Sequence, residues 1–481
     1  MSSRPNILVL MCDQLQGRVF EPGHPCRTPN LDALGARGIR FRHAYTPNAV
    51  CSPARASLMT GLHVHNHGVL NVTHTTDPDQ AQLRTEHPHW AQRLRDAGYR
   101  TGYFGKWHVE RTFDLDRFGW DVNGCESSDL LRNRQEAVAA ARAPEHWSLR
   151  KDYATPGYAP NLFYGVTSTP PEERQMGIIT GLALDYLEEV TEQPGPWCCF
   201  VSVPEPHDPF VAGEEAFALY DAEEIPLAPN VHDELTGRPG IYRKAGRVWR
   251  DLTDLERREA AACYYASITE IDAQFGRLLD KLASSGDLDN TIVVLVADHG
   301  ELLGAHGMYC KNFSANEEIY NIPLAMAGPG IPEGVVAKAR VGSHDLGPTL
   351  LELVGAEPID VPDSRSFLPV LQAPEAAAQD FTTGFAEYFG NRYYITYRVT
   401  WDGPWKYIHN GFDIDELYNL DDDPWELHNL AEDPAHEDDL VRMATLMWRF
   451  VKETGDTALL NTHYPILRLA PVGPGVLDDQ E

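Results

Sequence analysis

The chain has 481 residues, 43% of them hydrophobic and 23% charged, with a formal net charge of −31. Its length exceeds what one hydrophobic core usually serves, so two domains are the default, and its composition is that of a globular enzyme. The acidic balance excludes nucleic acid as the general partner, because a phosphate backbone calls for a basic patch or stripe. An anionic substrate would need a local cationic pocket set inside a repelling field.

In chain order, residues 6–11 read as a buried strand that leads into Cys12-Asp13-Gln14. The apolar run there is too short for a secretory signal and has no small-residue cleavage site after it. No stretch approaches the roughly 20 apolar residues that span a bilayer, so no membrane is expected. The eight cysteines, at 12, 26, 51, 125, 198, 199, 263 and 310, include no CxxC pair. They fit reduced thiols, a cytoplasmic location and no structural zinc.

Residues 51–60 predict a helix. Pro53 suits the first turn and Gly61 the stop, which places Cys51 at the N-terminus, where backbone N–H groups and the dipole favour an anion. A strand at 100–104 precedes Gly105-Lys106-Trp107-His108. Helical periodicity follows at about 173–190 and 255–284, with continuous apolar strands at 197–203 and 291–297, a length that suits parallel strands covered on both faces. After about residue 372 the texture changes. Residues 392–400 and 405–408 are β-branched and aromatic, the Asp421-Asp422-Asp423-Pro424 stretch reads as a solvated turn, and a closing helix falls near 436–453. The expected fold is α/β, a large mostly parallel sheet flanked by helices over residues 1–372. A smaller C-terminal α+β domain with an antiparallel sheet, a helix and a tail takes residues 373–481. Apolar residues in the tail, Tyr464-Pro465-Ile466-Leu467, suggest docking on a neighbour and hence a homo-oligomer.

Ligands of such sheets gather at the carboxyl ends of the strands. Asp13-Gln14 and Asp298-His299 each follow a predicted strand directly, and together they can bind one divalent cation. Their oxygens favour calcium, magnesium or manganese, and the imidazole pulls toward manganese. Singly, each dyad reads as a strand-end cap. Lys106, His108, His207 and Lys311 suggest a pocket for a tetrahedral oxyanion, although any one alone would be an ordinary surface or satisfied polar group. Cys51 alone would be a small buried hydrophobe. Trp107, Tyr164 and Phe210 fit a pocket wall or the core equally well.

In this order, these residues resemble the type I sulfatase family of the alkaline phosphatase superfamily. The resemblance runs from Arg4-Pro5-Asn6-Ile7 through Thr28-Pro29-Asn30-Leu31-Asp32, Cys51-Ser52-Pro53-Ala54-Arg55, Gly105-Lys106-Trp107-His108 and Pro206-His207. It continues through Asp298-His299-Gly300-Glu301, Lys311, Asp345-Leu346-Gly347-Pro348-Thr349-Leu350 and Glu416-Leu417-Tyr418-Asn419-Leu420. It implies that Cys51 is the precursor of formylglycine, made by a formylglycine-generating enzyme. Asp13, Gln14, Asp298, His299 and an oxygen of modified Cys51 would hold calcium or manganese. Arg55, Lys106, His108, His207 and Lys311 would orient the nucleophile and bind the sulfuryl oxygens, with Asn71 a further polar group of the pocket. One hydroxyl of the aldehyde hydrate attacks sulfur, His207 or Lys311 protonates the departing alcohol, and the second hydroxyl then expels sulfate.

Gln14 and His299 stand where many sulfatases carry aspartate and asparagine, and they also resemble choline-sulfatase-like and phosphonate monoester hydrolase-like branches. The implied activity is sulfuric ester hydrolysis. Its alternatives are phosphonate monoester or phosphodiester hydrolysis with the same nucleophile, and a non-catalytic metal-binding protein on the same fold.

Overall fold

The computed structural model describes residues 4–77, 81–84, 88–155, 157–311, 313–391, 394–460 and 470–480, without the side chains of 478–480. The docking residues expected in the tail, 464–467, lie outside the described residues. Numbered along the chain, the strands are β1 (Asn6–Cys12), β2 (Gly38–Tyr45), β3 (Arg100–Gly105), β4 (Val122–Cys125), β5 (Trp147–Tyr153), β6 (Asn161–Thr167), β7 (Trp197–Val203) and β8 (Phe210–Gly213). They continue as β9 (Thr291–Ala297), β10 (Leu324–Ala327), β11 (Val335–Gly342), β12 (Thr383–Tyr388), β13 (Tyr397–Asp402), β14 (Trp405–Asn410) and β15 (Glu416–Asn419).

Eight of them form one sheet in the order β11-β2-β10-β9-β1-β7-β3-β4. Only β10 runs antiparallel to its neighbours there. Every residue of β1, β7 and β9 is buried, which is why these strands read as unbroken apolar runs: helices cover both faces. The 17-residue helix Gln175–Thr191 and the 32-residue helix Asp254–Ser285 are amphipathic as the periodicity required. The second opens on a capping box between Thr253 and Glu256 and stops at Gly286, whose φ is +82°. Trp107, Tyr164 and Phe210 are all buried in the main core, so the core reading of these aromatics is the one that holds.

The register levels the carboxyl ends of the central strands. Cys12 pairs with Val203 on one side and Ala297 on the other, and Gly105 pairs with Ser202. Whatever follows the ends of these four strands therefore emerges along one edge. Gly105 is required at its position: its φ is +99°, and a Cβ there would lie 2.0 Å from the carbonyl oxygen of Ser202.

The second sheet is antiparallel, in the order β12-β13-β14-β15, and is backed by the helix Glu437–Thr454. Its other face packs on the large sheet, with the Trp401 ring 5.2 Å from Tyr45 and 5.9 Å from Tyr320. The expectation of a strand across 392–400 is corrected here. Its first two residues lie outside the described ones. The ladder begins at Tyr397, which pairs with Tyr388 and Asn410, and residues 394–396 belong to no strand because β12 and β14 end at that level. A third sheet, β5-β6-β8, was not expected. Strand β5 alternates exposed and half-buried residues and β8 is only four residues long, patterns that read as loop, while β6 is buried from Phe163 on.

Candidate active site

Cys51 is the first residue of the helix Cys51–Thr60, all ten residues of which are buried. Pro53 falls in the first turn, where its missing N–H costs nothing, and Gly61 closes the helix with φ +74°. The chain between β2 and this helix delivers the Cys51 sulfur to the levelled strand ends. Sγ lies 3.2 Å from His299 Nε2 and 3.7 Å from Asp13 Oδ1. His299 donates from Nδ1 to the Gly300 carbonyl at 2.8 Å, which turns Nε2 to the sulfur, as a donor while the ring is protonated and as a lone pair once it is neutral.

Arg55, one turn along the same helix, is 1% exposed and turns its guanidinium to the two carboxylates. Nε donates to Asp298 at 2.8 Å and Nη2 to Asp13 at 3.0 Å, while Nη1 donates to the Lys106 carbonyl and to Ser202 Oγ. The resemblance implied that Arg55 orients the nucleophile and binds sulfuryl oxygens. In this structure its donors meet the paired carboxylates, because β1 and β9 bring Asp13 and Asp298 side by side. Breaking a buried ion pair on one side costs about 3–5 kcal/mol. Arg55→Ala should therefore lower the unfolding free energy of chelator-treated protein by that order in a urea titration. A loss within error of zero would mean that Lys106, also paired with Asp13, suffices.

The cations arrive from three directions. Lys106 follows β3 and pairs with Asp13. His108 has φ +51°, and its Nε2 lies 2.9 Å from Nδ1 of His74, with the two rings stacked. Lys311 comes from the loop after β9, and its Nζ lies 2.7 Å from His207 Nε2. His207 Nδ1 in turn meets the backbone oxygen of Asp208 at 2.7 Å. Asn71 is buried and accepts from the Val72 N–H, and its segment reaches the site through Thr73, whose N–H donates to Ser52 Oγ at 3.2 Å.

The electrostatics follow from this crowding. Burial alone would raise the Cys51 thiol, but Lys106, Lys311 and His299 outweigh it and hold it well below the ordinary value. Burial and Cys51 push the Asp13 carboxyl up, yet Lys106, His207 and Arg55 keep it ionised far below the usual carboxylate range. Burial and the charge on Asp13 raise Asp298. Burial and Lys311 disfavour a charged His207, whereas Asp13 and Cys51 favour it, and the balance lies at about 9. With both protonated, Lys311 and His207 would be two donors facing each other at 2.7 Å. The pair therefore holds one proton fewer until an oxygen acceptor enters between them.

Sequence reasoning passed over several contributors. Asp208 and Glu301 both accept hydrogen bonds from the Gln14 amide. Burial, followed by the charge on Asp208, raises Glu301 to about 7. Glu301 closes the motif quoted from Asp298, and Asp208 directly follows Pro206-His207, and that adjacency was the available signal. His74 and Ser202 carried none. A cleft of about 640 Å³ opens on the cationic side, lined by His74, Lys106, His108, Glu126, Arg174 and His207 among others.

Asp13, Cys51, Asp298 and His299 each bring a ligand atom within 4.8 Å of the others, all four buried. Two carboxylates and an imidazole nitrogen make a donor set that fits a hard or borderline divalent cation, and Gln14, next to Asp13, donates its N–H to Asp298 and turns its amide oxygen to Lys311.

Comparison with known proteins agrees with this geometry. The sulfatase family model matches residues 5–356. The chain belongs to the sulfatase family. A second model, the C-terminal region of N-sulphoglucosamine sulphohydrolase, matches residues 304–453. A choline-sulfatase of Rhizobium meliloti (strain 1021) is 30% identical to this sulfatase over 471 residues, covering 90% of this chain and 83% of its own. The multifunctional alkaline phosphatase superfamily protein PehA of Trinickia caryophylli is also 30% identical, over 98% of this chain and 99% of its own. The solved structure of a phosphonate monoester hydrolase from Silicibacter pomeroyi superposes with a TM-score of 0.78 at 25% identity, covering 95% of this chain and 96% of that one.

Proposed function

We propose that this sulfatase hydrolyses sulfuric esters through a formylglycine made from Cys51 by a formylglycine-generating enzyme, with one calcium or manganese ion at Asp13, Gln14, Asp298 and His299. The observation that carries the reading is the surroundings of the Cys51 sulfur. It sits at a helix N-terminus, 3.2 Å from His299 Nε2, among buried and half-buried basic side chains in a strongly acidic chain. Such surroundings suit the oxygens of a tetrahedral anion. Bound there, the metal would draw charge from the group being transferred. The aldehyde hydrate supplies an oxygen nucleophile and a second hydroxyl through which sulfate can be expelled.

The chain's own residues do the rest. Lys106 and His108 face the cleft and suit the equatorial oxygens. Lys311 and His207, once an ester oxygen lies between them, hold a proton for the departing alcohol. The eight free cysteines, seven of them buried, support a reducing, cytoplasmic setting. Among the described residues no helix is long and apolar enough to cross a membrane. We place the domain boundary near residue 372, ahead of β12.

Mass analysis of the peptide carrying Cys51 tests the modification. Conversion of thiol to aldehyde lowers its mass by about 18 Da, and an unmodified peptide from fully active enzyme would remove the mechanism. The pairing of Gln14 with His299, together with the relationship to the phosphonate monoester hydrolase, favours a second reading. Rates on 4-nitrophenyl sulfate and on a phenyl phosphonate ester decide between them, and a clear preference for the phosphonate would overturn the first.

A further inference from the structure

Gln14 is held at every polar atom. It lies in the left-handed region with φ +66°, a costly conformation for any residue with a Cβ. Its N–H donates to Asp298 Oδ1 at 3.1 Å, and its carbonyl accepts from the Tyr264 hydroxyl at 2.7 Å. Its amide nitrogen donates one hydrogen to Asp208 Oδ1 at 3.1 Å and the other to Glu301 Oε2. That leaves the amide oxygen on the side of Lys311 Nζ, at 3.3 Å.

Glu301 is itself wholly buried and meets donors at both oxygens. Oε1 accepts from the Leu303 N–H at 2.9 Å and the Cys310 N–H at 2.6 Å, while Oε2 takes the Gln14 amide. Asp208, Glu301 and Cys310 resemble a second cation cluster, each offering a ligand atom within 4.8 Å of the others. The Gln14 amide nitrogen already binds both of its carboxylates.

We propose that Glu301, with Asp208, is a positioning residue that locks the Gln14 carboxamide with its oxygen toward the cation site, and that this acidic pair is why the chain carries an amide at position 14. A carboxamide turned over would press its oxygen against two carboxylates. An acid at 14 would set a third negative charge beside them, with Lys311 reaching one of its oxygens while the other presses on the two carboxylates. The inference rests on the proposed reading of Asp13, Gln14, Asp298 and His299 as cation ligands. It does not depend on which ester is cleaved.

The test is retention of manganese by the full-length holoenzyme against graded chelator, read as metal per chain and by electron paramagnetic resonance. Glu301→Gln places an amide nitrogen where only acceptors fit, so it should hold manganese about 10- to 100-fold more weakly, the usual effect of losing an outer partner of a metal ligand. The exchange Gln14→Glu with Glu301→Gln restores one donor–acceptor match. It should recover about tenfold, short of wild type because the carboxylate introduced at position 14 would face Asp208. A merely structural Glu301 would lower the thermal midpoint with no recovery in the exchange. Unchanged retention in Glu301→Gln overturns the proposal. If Glu301→Gln fails to fold, the exchange variant decides: folded and metal-retaining supports it, while unfolded or metal-free overturns it. Wild-type enzyme that retained no manganese would instead sink the ligand reading beneath it.

Discussion

Cys51→Ala should lower kcat/KM on a sulfate ester by about 10⁴-fold or more, the scale of removing a nucleophile from a site that otherwise stays intact. Everything else that touches the reacting group survives the change. The helix still starts at residue 51, Arg55 still spans Asp13 and Asp298, and the basic side chains keep their charges. Weakly retained binding of sulfate with lost turnover is therefore the expected pattern.

Cys51→Ser makes the sharper test. Serine presents one hydroxyl to the same surroundings, so it can attack once. The ester it then carries has no neighbouring hydroxyl to expel sulfate, and turnover stops. Rapid-quench kinetics should show at most one equivalent of alcohol per chain, with the sulfate left on the introduced serine oxygen. Steady turnover by the serine variant would mean that water opens the ester directly, and the aldehyde would then be unnecessary.

The second large effect belongs to Lys311 and His207. Removing a general acid costs about 10²- to 10⁴-fold where the leaving group needs its proton. Lys311→Ala and His207→Ala should show losses of that order on an alkyl sulfate. On 4-nitrophenyl sulfate, whose phenolate leaves without help, the loss should be about tenfold or less by the same argument. An equal loss on both esters would assign these residues to binding the sulfuryl oxygens.

The pH dependence carries a sign. The acid must be protonated, and Asp13, which survives the modification of Cys51, favours the charged form of His207 against burial and Lys311. The rate on the alkyl ester should hold while the Lys311–His207 pair keeps its proton and fall as rising pH removes it. In His207→Ala that alkaline limb should move or vanish.

Much of the fold was legible because β1, β7 and β9 are buried on both faces and must be apolar throughout. The large helices were legible because each buries one face, Gln175–Thr191 on β7 and β3 and Asp254–Ser285 on β6, β8 and neighbouring helices. By contrast β2, at the flank of the sheet, mixes arginine and histidine with apolar residues, and β10 is four residues long. Neither carries a period long enough to read. The strand expected across 392–400 failed for a related reason: composition marks strand-forming residues, but a strand ends where its partners end.

The candidate site divides along the same line. Asp13, Gln14, Cys51, Arg55, Lys106, His108, His207, Asp298, His299 and Lys311 were all named from motifs, because the chemistry restricts residue type at each position. Their placement at strand exits followed from the periodicity on either side. What the linear order withheld was which group each one faces. Arg55 sits four residues from Cys51, yet it turns to two carboxylates that lie 42 and 243 positions away along the chain. Gln14 reads as a metal ligand, while the two acids that orient its amide come from loops after β7 and β9.

The sequence by itself determined the α/β class and the residue types available to the site, with Cys51 as the candidate nucleophile, since apolar period and chemical identity are local properties. Only the tertiary structure decided the pairing. Strand register levels the ends of β1, β3, β7 and β9, and hydrogen bonds between groups hundreds of residues apart fix which oxygen, nitrogen or charge each side chain presents to the Cys51 sulfur.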